Sequence, residues 1–263
     1  MRIILGVTLI LLLVYVLVFG LLYSFQESLI FQADILEKDY SFEFDTPFEE
    51  KKIQREDGAE LHGLYFKTPQ PRGLILYFHG NAGDLSRWGN VVEPFVKLGY
   101  EVLVVDYRGY GKSTGKRSEK LMYEDALKWY DLALEKMNNE SIVVYGRSLG
   151  CTFATFAASK RNCNQLILET PFYSLKSVVK NTYAIFPVGS LLKFRFPTFE
   201  FIDLVNCPIT IIHGTEDDIV PIENSQRLIE LNPLIDFVTI NEGEHNNLAK
   251  FEHYWQVVGK LLP

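Results

Sequence analysis

A serine held between two glycines, in the segment Tyr145-Gly-Arg-Ser-Leu-Gly150, restricts the fold of this 263-residue chain most. A β-branched run (142–144) precedes the segment, and a run rich in Ala, Thr and Phe (151–160) follows it. This order predicts a buried strand, a tight turn and a buried helix. Both flanking residues must be glycine because a Cβ beside a strained Ser148 would clash with its neighbours. The pattern is typical of a nucleophilic serine at a helix N-terminus; a glycine-rich loop without chemistry is the alternative.

Apolar runs alternate with helical patterns through most of the chain. Each run is apolar on both faces, which is typical of strands in a parallel sheet that helices cover on two sides. Upstream, alternating residues 41–46 predict a half-buried strand, and Asp57-Gly58 predicts a hairpin between antiparallel strands 51–56 and 59–67. The predicted parallel strands are 74–78, 101–105, 142–144, 165–168, 209–212 and 237–240, and the predicted helices are 84–98, 118–137, 151–160, 222–231 and 248–261.

One connection is much longer than the others. About forty residues separate the strand that ends near Leu168 from the strand that begins at Ile209. A connection of that length in a compact domain is usually functional. We therefore predict a small, partly helical cap at about 172–206, over the C-terminal edge of the sheet. Its aromatic residues are Tyr173, Tyr183, Phe186, Phe194, Phe196, Phe199 and Phe201.

The N-terminal segment is uncharged and almost wholly apolar from Ile3 to Tyr23. As a helix, its 21 residues would span about 30 Å, the thickness of a bilayer's hydrocarbon core. A cleaved signal peptide has a shorter apolar region that ends at small residues, which 21–25 do not provide. We therefore expect a transmembrane signal anchor at 1–23, an amphipathic connector at 24–40 and one domain at 41–263. Arg2 favours a single-pass topology with that domain on the extracytoplasmic side.

Composition excludes several kinds of function. The formal net charge of −7 gives no support to nucleic-acid binding. The three cysteines, Cys151, Cys163 and Cys207, have neither metal-binding nor redox spacing, so we expect small buried thiols. We predict no metal ion and no cofactor, and the oligomeric state stays open.

A serine nucleophile needs a base, and one of the five histidines follows the last predicted strand. This residue, His245, lies in a polar loop that can reach over the sheet, and we predict that it is the base. His62 lies upstream in the hairpin, and His79 and His213 each end a strand, where we expect them to brace turns. His253 is expected to pack within the last helix.

The residues alone do not identify the acid that orients the histidine. The strand at 209–212 leads into three carboxylates, Glu216, Asp217 and Asp218, and Glu169 ends the preceding strand. Neighbouring acids are often no more than a solvated turn. Position along the chain therefore leaves all four residues open.

Five motifs, in order, resemble those of the α/β-hydrolases, in particular a small branch with an N-terminal membrane helix that is related to the eukaryotic protein depalmitoylases. The resemblance extends from about Phe25 to the C-terminus. It implies that Asp217 is the acid, because in this branch the aspartate three residues after the glycine of the His-Gly pair carries that role. The chain order of serine, aspartate and histidine is also that of the family. The motifs are His79-Gly-Asn-Ala-Gly83, Asp106-Tyr-Arg-Gly-Tyr-Gly111, Gly146-Arg-Ser-Leu-Gly150, His213-Gly-Thr-Glu-Asp217 and Gly243-Glu-His245.

The resemblance also implies where an oxyanion would bind. The backbone N–H of Leu149 and one N–H from the turn at Asn81 and Ala82 would hold it. Arg108 is expected to brace its turn, and Arg147 and the charges at 112–116 are expected to be solvated.

Together these features predict a membrane-anchored serine hydrolase that cleaves acyl esters or thioesters through an acyl-enzyme. The aromatic cap and the membrane helix favour a small-molecule or lipid-like acyl substrate, and depalmitoylation is the activity that the resemblance implies. A serine peptidase of the same fold is one alternative, although related peptidases usually carry a large gating domain for which this chain has no room. A non-catalytic, membrane-anchored interaction domain is the other.

Overall fold

The computed structural model describes residues 1–180 and 185–262, so Tyr183 of the predicted cap lies outside the described residues. The strands are β1 (Gln32–Ala33), β2 (Phe48–Gln54), β3 (Glu60–Phe66), β4 (Gly73–Phe78), β5 (Ala82–Gly83), β6 (Tyr100–Val105), β7 (Ile142–Arg147), β8 (Gln165–Glu169), β9 (Ile209–Gly214) and β10 (Asp236–Ile240). The helices are α1 (Arg2–Ile30), α2 (Leu85–Lys97), α3 (Glu119–Leu134), α4 (Leu149–Lys160), α5 (Leu175–Val179), α6 (Val188–Leu191), α7 (Glu223–Leu231) and α8 (Glu252–Leu261).

Eight strands form one central sheet in the order β10-β9-β8-β7-β4-β6-β3-β2. The six strands from β10 to β6 are parallel to their neighbours. At the other edge, β2 and β3 are antiparallel, because Asp57-Gly58 turns the chain back with Gly58 at a φ of 83°. The predicted mostly parallel sheet with antiparallel N-terminal strands is therefore confirmed. The strand predicted at 41–46 is wrong, since that segment is irregular and packs Phe42 against Phe44.

Helices cover both faces of the sheet, as predicted. On one face, α3 and α4 bury Trp129 and Phe153 in the larger apolar cluster. On the other face, α2 and α8 bury Phe95 and Tyr254 in a second cluster. The first turn of α2 is stabilised by Asp84, whose side chain accepts a hydrogen bond from the backbone N–H of Ser86.

The helix α1 is longer than the predicted membrane segment. It continues to Ile30, so the first part of the predicted connector is helical. Within residues 1–180 and 185–262, α1 is the one helix long and apolar enough to cross a membrane. Its apolar side chains from Ile3 to Leu17 are exposed. Directly after α1, the short strand β1 pairs with β5, next to the carboxyl end of β4.

Two short helices, α5 and α6, and two 3-10 turns (Thr198–Glu200 and Ile202–Leu204) lie between β8 and β9. The extent of the cap, about 172–206, stays a prediction. Several of its aromatic side chains are part of the domain core rather than of an open surface. Phe194 and Phe196 are 2% and 0% exposed, and the ring of Phe194 lies 4.9 Å from that of Phe31.

Candidate active site

Ser148 lies at the turn from β7 into α4 in a strained backbone conformation, with φ 50° and ψ −114°. A Cβ on Gly146 would lie 2.6 Å from Cα of Cys151. A Cβ on Gly150 would lie 1.9 Å from the carbonyl oxygen of Phe78. Both positions therefore require glycine, for the steric reason that the sequence indicated. The turn leaves Ser148 partly exposed at the N-terminus of α4.

The structure brings the three predicted triad side chains together at the carboxyl edge of the sheet. Ser148 follows β7, Asp217 lies in the loop after β9, and His245 lies in the loop after β10. Nε2 of His245 is 2.9 Å from Oγ of Ser148, and Nδ1 of His245 is 2.7 Å from Oδ2 of Asp217. With the Nδ1 proton donated to the carboxylate, Nε2 has a free lone pair that can accept the hydroxyl proton.

Asp217 is the carboxylate in this loop that reaches His245. It is 6% exposed, whereas its neighbours Glu216 and Asp218 are exposed. Burial alone would raise its pKa, but the hydrogen bonds from His213 and His245 outweigh burial and hold the pKa of Asp217 well below its usual range. The carboxylate is thus ionised at neutral pH, as a partner for an imidazolium must be.

Glu169, the fourth carboxylate that the sequence left open, has a different set of partners. Its Oε1 lies 3.1 Å from Nε of Arg147, and its Oε2 accepts hydrogen bonds from the hydroxyls of Tyr145 (2.7 Å) and Tyr254 (2.9 Å). Arg147 also donates to the backbone carbonyl of His245 at 3.4 Å. This buried cluster connects the strand before Ser148 to the loop that carries His245.

Two basic residues are more buried than the sequence indicated. Arg147 is 8% exposed and Lys112 is 7% exposed, so the expectation of solvated charges is wrong for both. Each is paired with a carboxylate: Arg147 with the buried Glu169, and Lys112 with the more exposed Glu50, to which its Nζ donates at 2.8 Å. Arg108, in contrast, braces its loop as predicted, by a 2.6 Å bond from its Nε to Asp125.

A buried pair of side chains, His79 and Asp106, supports the loop after β4. His79 donates from Nδ1 to the carbonyl of Gly80 at 2.6 Å, and its Nε2 lies 3.1 Å from Oδ1 of Asp106. Complete burial raises the pKa of Asp106 to about 6. The hydroxyl of Tyr110 donates to the carbonyl of Asn81 at 2.8 Å, which fixes the next peptide of the loop.

The orientation of Ala82 follows from its neighbours. The carbonyl of Gly83 accepts from the backbone N–H of Asp34, so Gly83 faces β1. Backbone groups of successive strand residues point to opposite sides, and the carbonyl of Ala82 accepts from the indole of Trp88 instead. The N–H of Ala82 therefore points away from β1. Asn81 and Ala82 both line the same cavity as Ser148.

That cavity has a volume of about 370 Å³, within the range of about 300–1,000 Å³ typical of small-molecule sites. Its polar end includes Ser148, His245 and Arg147. Its other walls are mainly aliphatic, with Trp88 and Phe172 as the aromatic lining residues, because most aromatic side chains of the predicted cap pack elsewhere. The aliphatic lining residues are Leu22, Leu29, Ile30, Leu175, Val178, Val179, Val188, Leu191, Leu192, Ile219 and Val220.

Sequence reasoning missed that α1 contributes to this cavity. Leu22, Gln26, Leu29 and Ile30 line it at a spacing of four, three and one, which places them on one helix face. The signal was present, since the segment after Tyr23 contains no helix breaker before Ile30. Because 1–23 was interpreted as an independent membrane anchor, the contribution of α1 to the cavity was not predicted.

The remaining histidines have structural partners or are exposed. His62 is buried with Nε2 2.7 Å from Glu50. His213 donates from Nε2 to the carbonyl of Val220 at 2.8 Å and so braces the acid loop, as predicted. His253 is exposed in the first turn of α8, so the expectation that it packs within a helix is wrong.

The cysteines differ in their surroundings. Cys151 is fully buried behind the serine turn, and burial raises the pKa of its thiol. Cys163 is buried and Cys207 partly exposed, with their sulfur atoms 2.7 Å apart. The described residues contain no group of three His, Cys, Asp or Glu side chains that could hold a metal ion.

Comparison with known sequences identifies relatives. A family model described as serine aminopeptidase, S33, matches residues 69–201, about half of the chain. An uncharacterized protein of Mycobacterium tuberculosis is 36% identical over 187 residues, which cover 67% of this chain and 64% of that protein. Protein bem46 of Schizosaccharomyces pombe is 28% identical over 92% of this chain and 87% of its own. The Danio rerio lysophosphatidylserine lipase ABHD12 is 31% identical over 69% of this chain and 52% of its own. The chain thus spans less than two thirds of the mycobacterial relative and about half of the zebrafish one.

Solved structures agree on the fold. The Pyrococcus furiosus esterase Pf2001 has a TM-score of 0.67 at 21% identity, over 87% of this chain and 97% of its own. The mouse α/β hydrolase domain-containing protein 10 has a TM-score of 0.60 at 20% identity, over 81% of this chain and 96% of its own. Identities this low carry the fold alone. With the family model, they show that the chain is an α/β-hydrolase, as predicted, and belongs to the family described as serine aminopeptidase, S33.

Proposed function

We propose that this hydrolase cleaves acyl esters or thioesters through an acyl-enzyme, with Ser148 as the nucleophile. One observation carries the proposal: Nε2 of His245 lies 2.9 Å from the serine oxygen while its Nδ1 lies 2.7 Å from Asp217. A nucleophile, a base and an orienting acid within hydrogen-bond distance are the parts that acyl transfer by a serine needs. The strained backbone of Ser148 supports the same role.

In the proposed first step, Oγ of Ser148 attacks the acyl carbonyl carbon while Nε2 of His245 removes the hydroxyl proton. The bond to the alcohol or thiol then breaks, and His245 returns the proton to that leaving group. Water next attacks the acyl-enzyme, with His245 again as the base, and the carboxylic acid leaves. Asp217 keeps the Nδ1 proton of His245 in place and stabilises the imidazolium.

The oxyanion of each tetrahedral intermediate would be held by the backbone N–H of Leu149 and by that of Ala82. Leu149 is the first residue of α4, so its N–H also benefits from the helix dipole. The N–H of Ala82 points away from β1, and the hydrogen bond from Trp88 to the Ala82 carbonyl fixes the peptide. Asn81 would act mainly by shaping this turn. Each such donor is worth about 10²–10³ in rate.

The proposed substrate carries an apolar acyl group. The aliphatic lining of the cavity supports this, and the zebrafish relative is named as a lysophosphatidylserine lipase. We further propose that α1 anchors the enzyme in a membrane as a single pass, with the domain on the extracytoplasmic side. The exposure of the apolar side chains from Ile3 to Leu17 and the position of Arg2 support that arrangement.

A serine peptidase is the second candidate, because the matching family model is described as an aminopeptidase. A non-catalytic interaction domain is the third, although the joined triad argues against it. A substrate panel separates the three. Full-length protein in detergent would be given nitrophenyl esters, an acyl thioester and aminoacyl nitroanilides, with Ser148→Ala alongside.

We expect turnover of esters and thioesters, and a loss of at least about 10³-fold in Ser148→Ala. Turnover of nitroanilides above that of esters would support the peptidase instead. If no substrate is turned over by the wild type above the Ser148→Ala background, the protein is not the proposed hydrolase.

A further inference from the structure

The last two turns of α1 form one wall of the cavity beside Ser148. Leu22, Gln26, Leu29 and Ile30 line it from a single helix face. The nine residues from Leu22 to Ile30 extend about 12 Å along the helix axis. Leu22 lies within the apolar segment that ends at Tyr23. The cavity therefore extends from the triad to the segment that we propose crosses the membrane.

Gln26 holds this wall against the cap. Its side chain is buried, and its Nε2 donates to the carbonyl of Leu191, in α6, at 3.0 Å. Its Oε1 accepts from the backbone N–H of Lys193 at 2.7 Å. A buried amide with partners at both ends fixes geometry, since breaking either bond leaves a polar group unsatisfied. These hydrogen bonds join α1 to the C-terminal end of α6 at Gln26, one helical turn beyond Leu22.

The cap contacts α1 further towards its N-terminus as well. The ring of Phe186 stacks on that of Tyr15 at 4.9 Å, and the Tyr15 hydroxyl donates to the carbonyl of Ile185 at 3.2 Å. Tyr15 precedes Tyr23 by eight residues, or about 12 Å of helix. If α1 crosses a bilayer, Ile185 and Phe186 lie at the depth of the acyl chains. Ile185 is 78% exposed, as suits a side chain in contact with lipid.

We propose that α1 is a wall of the acyl-binding site in addition to being an anchor, and that the acyl chain enters from the leaflet between Leu22 and α6. The substrate class is then a lipid or acylated molecule that resides in the same leaflet. Its acyl chain passes from one apolar environment to another without exposure to water, which removes a large cost of extracting it. This inference rests on the proposed function, because it places the chain relative to Ser148.

The test uses full-length protein in phosphatidylcholine vesicles with two nitrophenyl esters. The butyrate dissolves in water, and the palmitate partitions into the bilayer. In Leu22→Trp, the larger side chain fills the apolar end of the cavity. The matched control is Leu21→Trp, because Leu21 is the preceding residue, 48% exposed and not part of the cavity lining.

We expect the ratio of kcat/KM for palmitate to that for butyrate to fall about tenfold or more in Leu22→Trp, and to keep its wild-type value in Leu21→Trp. Equal ratios in the two variants would overturn the inference while leaving the proposed function intact. If the wild type hydrolyses neither ester, both proposals fail together.

Loss of fluorophosphonate labelling at Ser148 would reveal that Leu22→Trp is misfolded. A second variant, Leu22→Ala, tests the inference in that case. Leu22→Ala lengthens the apolar end instead of filling it. We expect its preferred acyl chain to be longer than that of the wild type, whereas Leu21→Ala should keep the wild-type preference. An unchanged preference in Leu22→Ala would contradict the proposed position of the acyl chain.

Discussion

Nε of Arg147 lies 3.1 Å from Oε1 of Glu169, and this ion pair joins the ends of the neighbouring parallel strands β7 and β8, next to Ser148 in the chain. Both side chains are almost fully buried. A buried pair of this kind contributes little net stability, but removal of one partner leaves an uncompensated charge. Substitution of Arg147 or Glu169 should therefore disturb the site even when the three triad residues are unchanged.

Glu169→Gln should destabilise the domain by about 3–5 kcal/mol, because Arg147 would remain buried without its counter-charge. The control is Glu200→Gln, which removes the carboxylate from an ion pair with Arg195 whose side chains are 41% and 65% exposed. Exposed pairs contribute about 0–1 kcal/mol, so we expect little change there. Thermal unfolding measures both, and equal losses in the two variants would contradict the role given to Glu169.

Asp217→Asn should lower kcat by about 10⁴ with a small change in KM, because an amide no longer fixes the tautomer of His245. Asp218→Asn is the matched control, since Asp218 is the next residue and is exposed. Steady-state hydrolysis of a short nitrophenyl ester measures both. If Asp218→Asn is the slower enzyme, the acid has been assigned to the wrong residue.

The same carboxylate predicts how stability depends on pH. The pKa of Asp217 lies below its ordinary value of 3.8 in the folded protein, where hydrogen bonds from two histidines outweigh the effect of burial. A lowered pKa gives a stabilisation that is present above about pH 4 and is lost as the pH falls towards the folded value. The free energy of unfolding of the wild type minus that of Asp217→Asn should thus shrink from pH 6 to pH 3. Chemical denaturation at several pH values checks this, and a difference that grows on acidification has the wrong sign.

Gly150→Ala should prevent folding or abolish the serine turn, because the new methyl group would lie 1.9 Å from the carbonyl oxygen of Phe78. Gly259→Ala is the control, as a Cβ in α8 meets nothing within 4 Å. Alanine in a helix is favoured over glycine by about 0.5–1 kcal/mol, so this control should be slightly more stable than the wild type. Soluble yield and thermal unfolding distinguish the two, and a Gly150→Ala protein as stable as the wild type would refute the steric argument.

Gln26→Met keeps the volume of the side chain but removes both of its hydrogen-bonding ends. The carbonyl of Leu191 and the N–H of Lys193 then lose their partners, which costs about 1–3 kcal/mol if they stay buried. We expect the cap to separate from α1 and limited proteolysis near 185–193 to become faster. Gln32→Met, a change at the start of β1 where the side chain is exposed, should leave the cleavage rate unchanged.

The sequence predicted the central sheet because its apolar runs are β-branched, short and separated by helical patterns. The hairpin at Asp57-Gly58 was equally clear, since that dipeptide adopts the positive φ of a tight turn. Alternation misled at 41–46, where Phe42 and Phe44 pack on the domain without joining a strand. Alternation shows that one side of a segment is buried, but pairing depends on a free strand edge that a single segment does not reveal.

The candidate site was predictable to the extent that it depends on chain order. His245 could be chosen because it follows the last strand, but the choice among four carboxylates needed the family resemblance. The ion pair of Arg147 and Glu169 joins residues that are 22 positions apart, and no local pattern indicates it. The contacts between α1 and the cap are similarly long-range, so sequence reasoning treated the anchor and the pocket as separate.

The central claim is that Ser148 is the nucleophile, and covalent labelling tests it most directly. The wild type, Ser148→Ala and Ser141→Ala would react with a fluorophosphonate, and peptide mass spectrometry would locate the adduct. We predict one adduct on Ser148 in the wild type and in Ser141→Ala, and none in Ser148→Ala. An adduct on another residue, or equal labelling of Ser148→Ala and the wild type, would contradict the account.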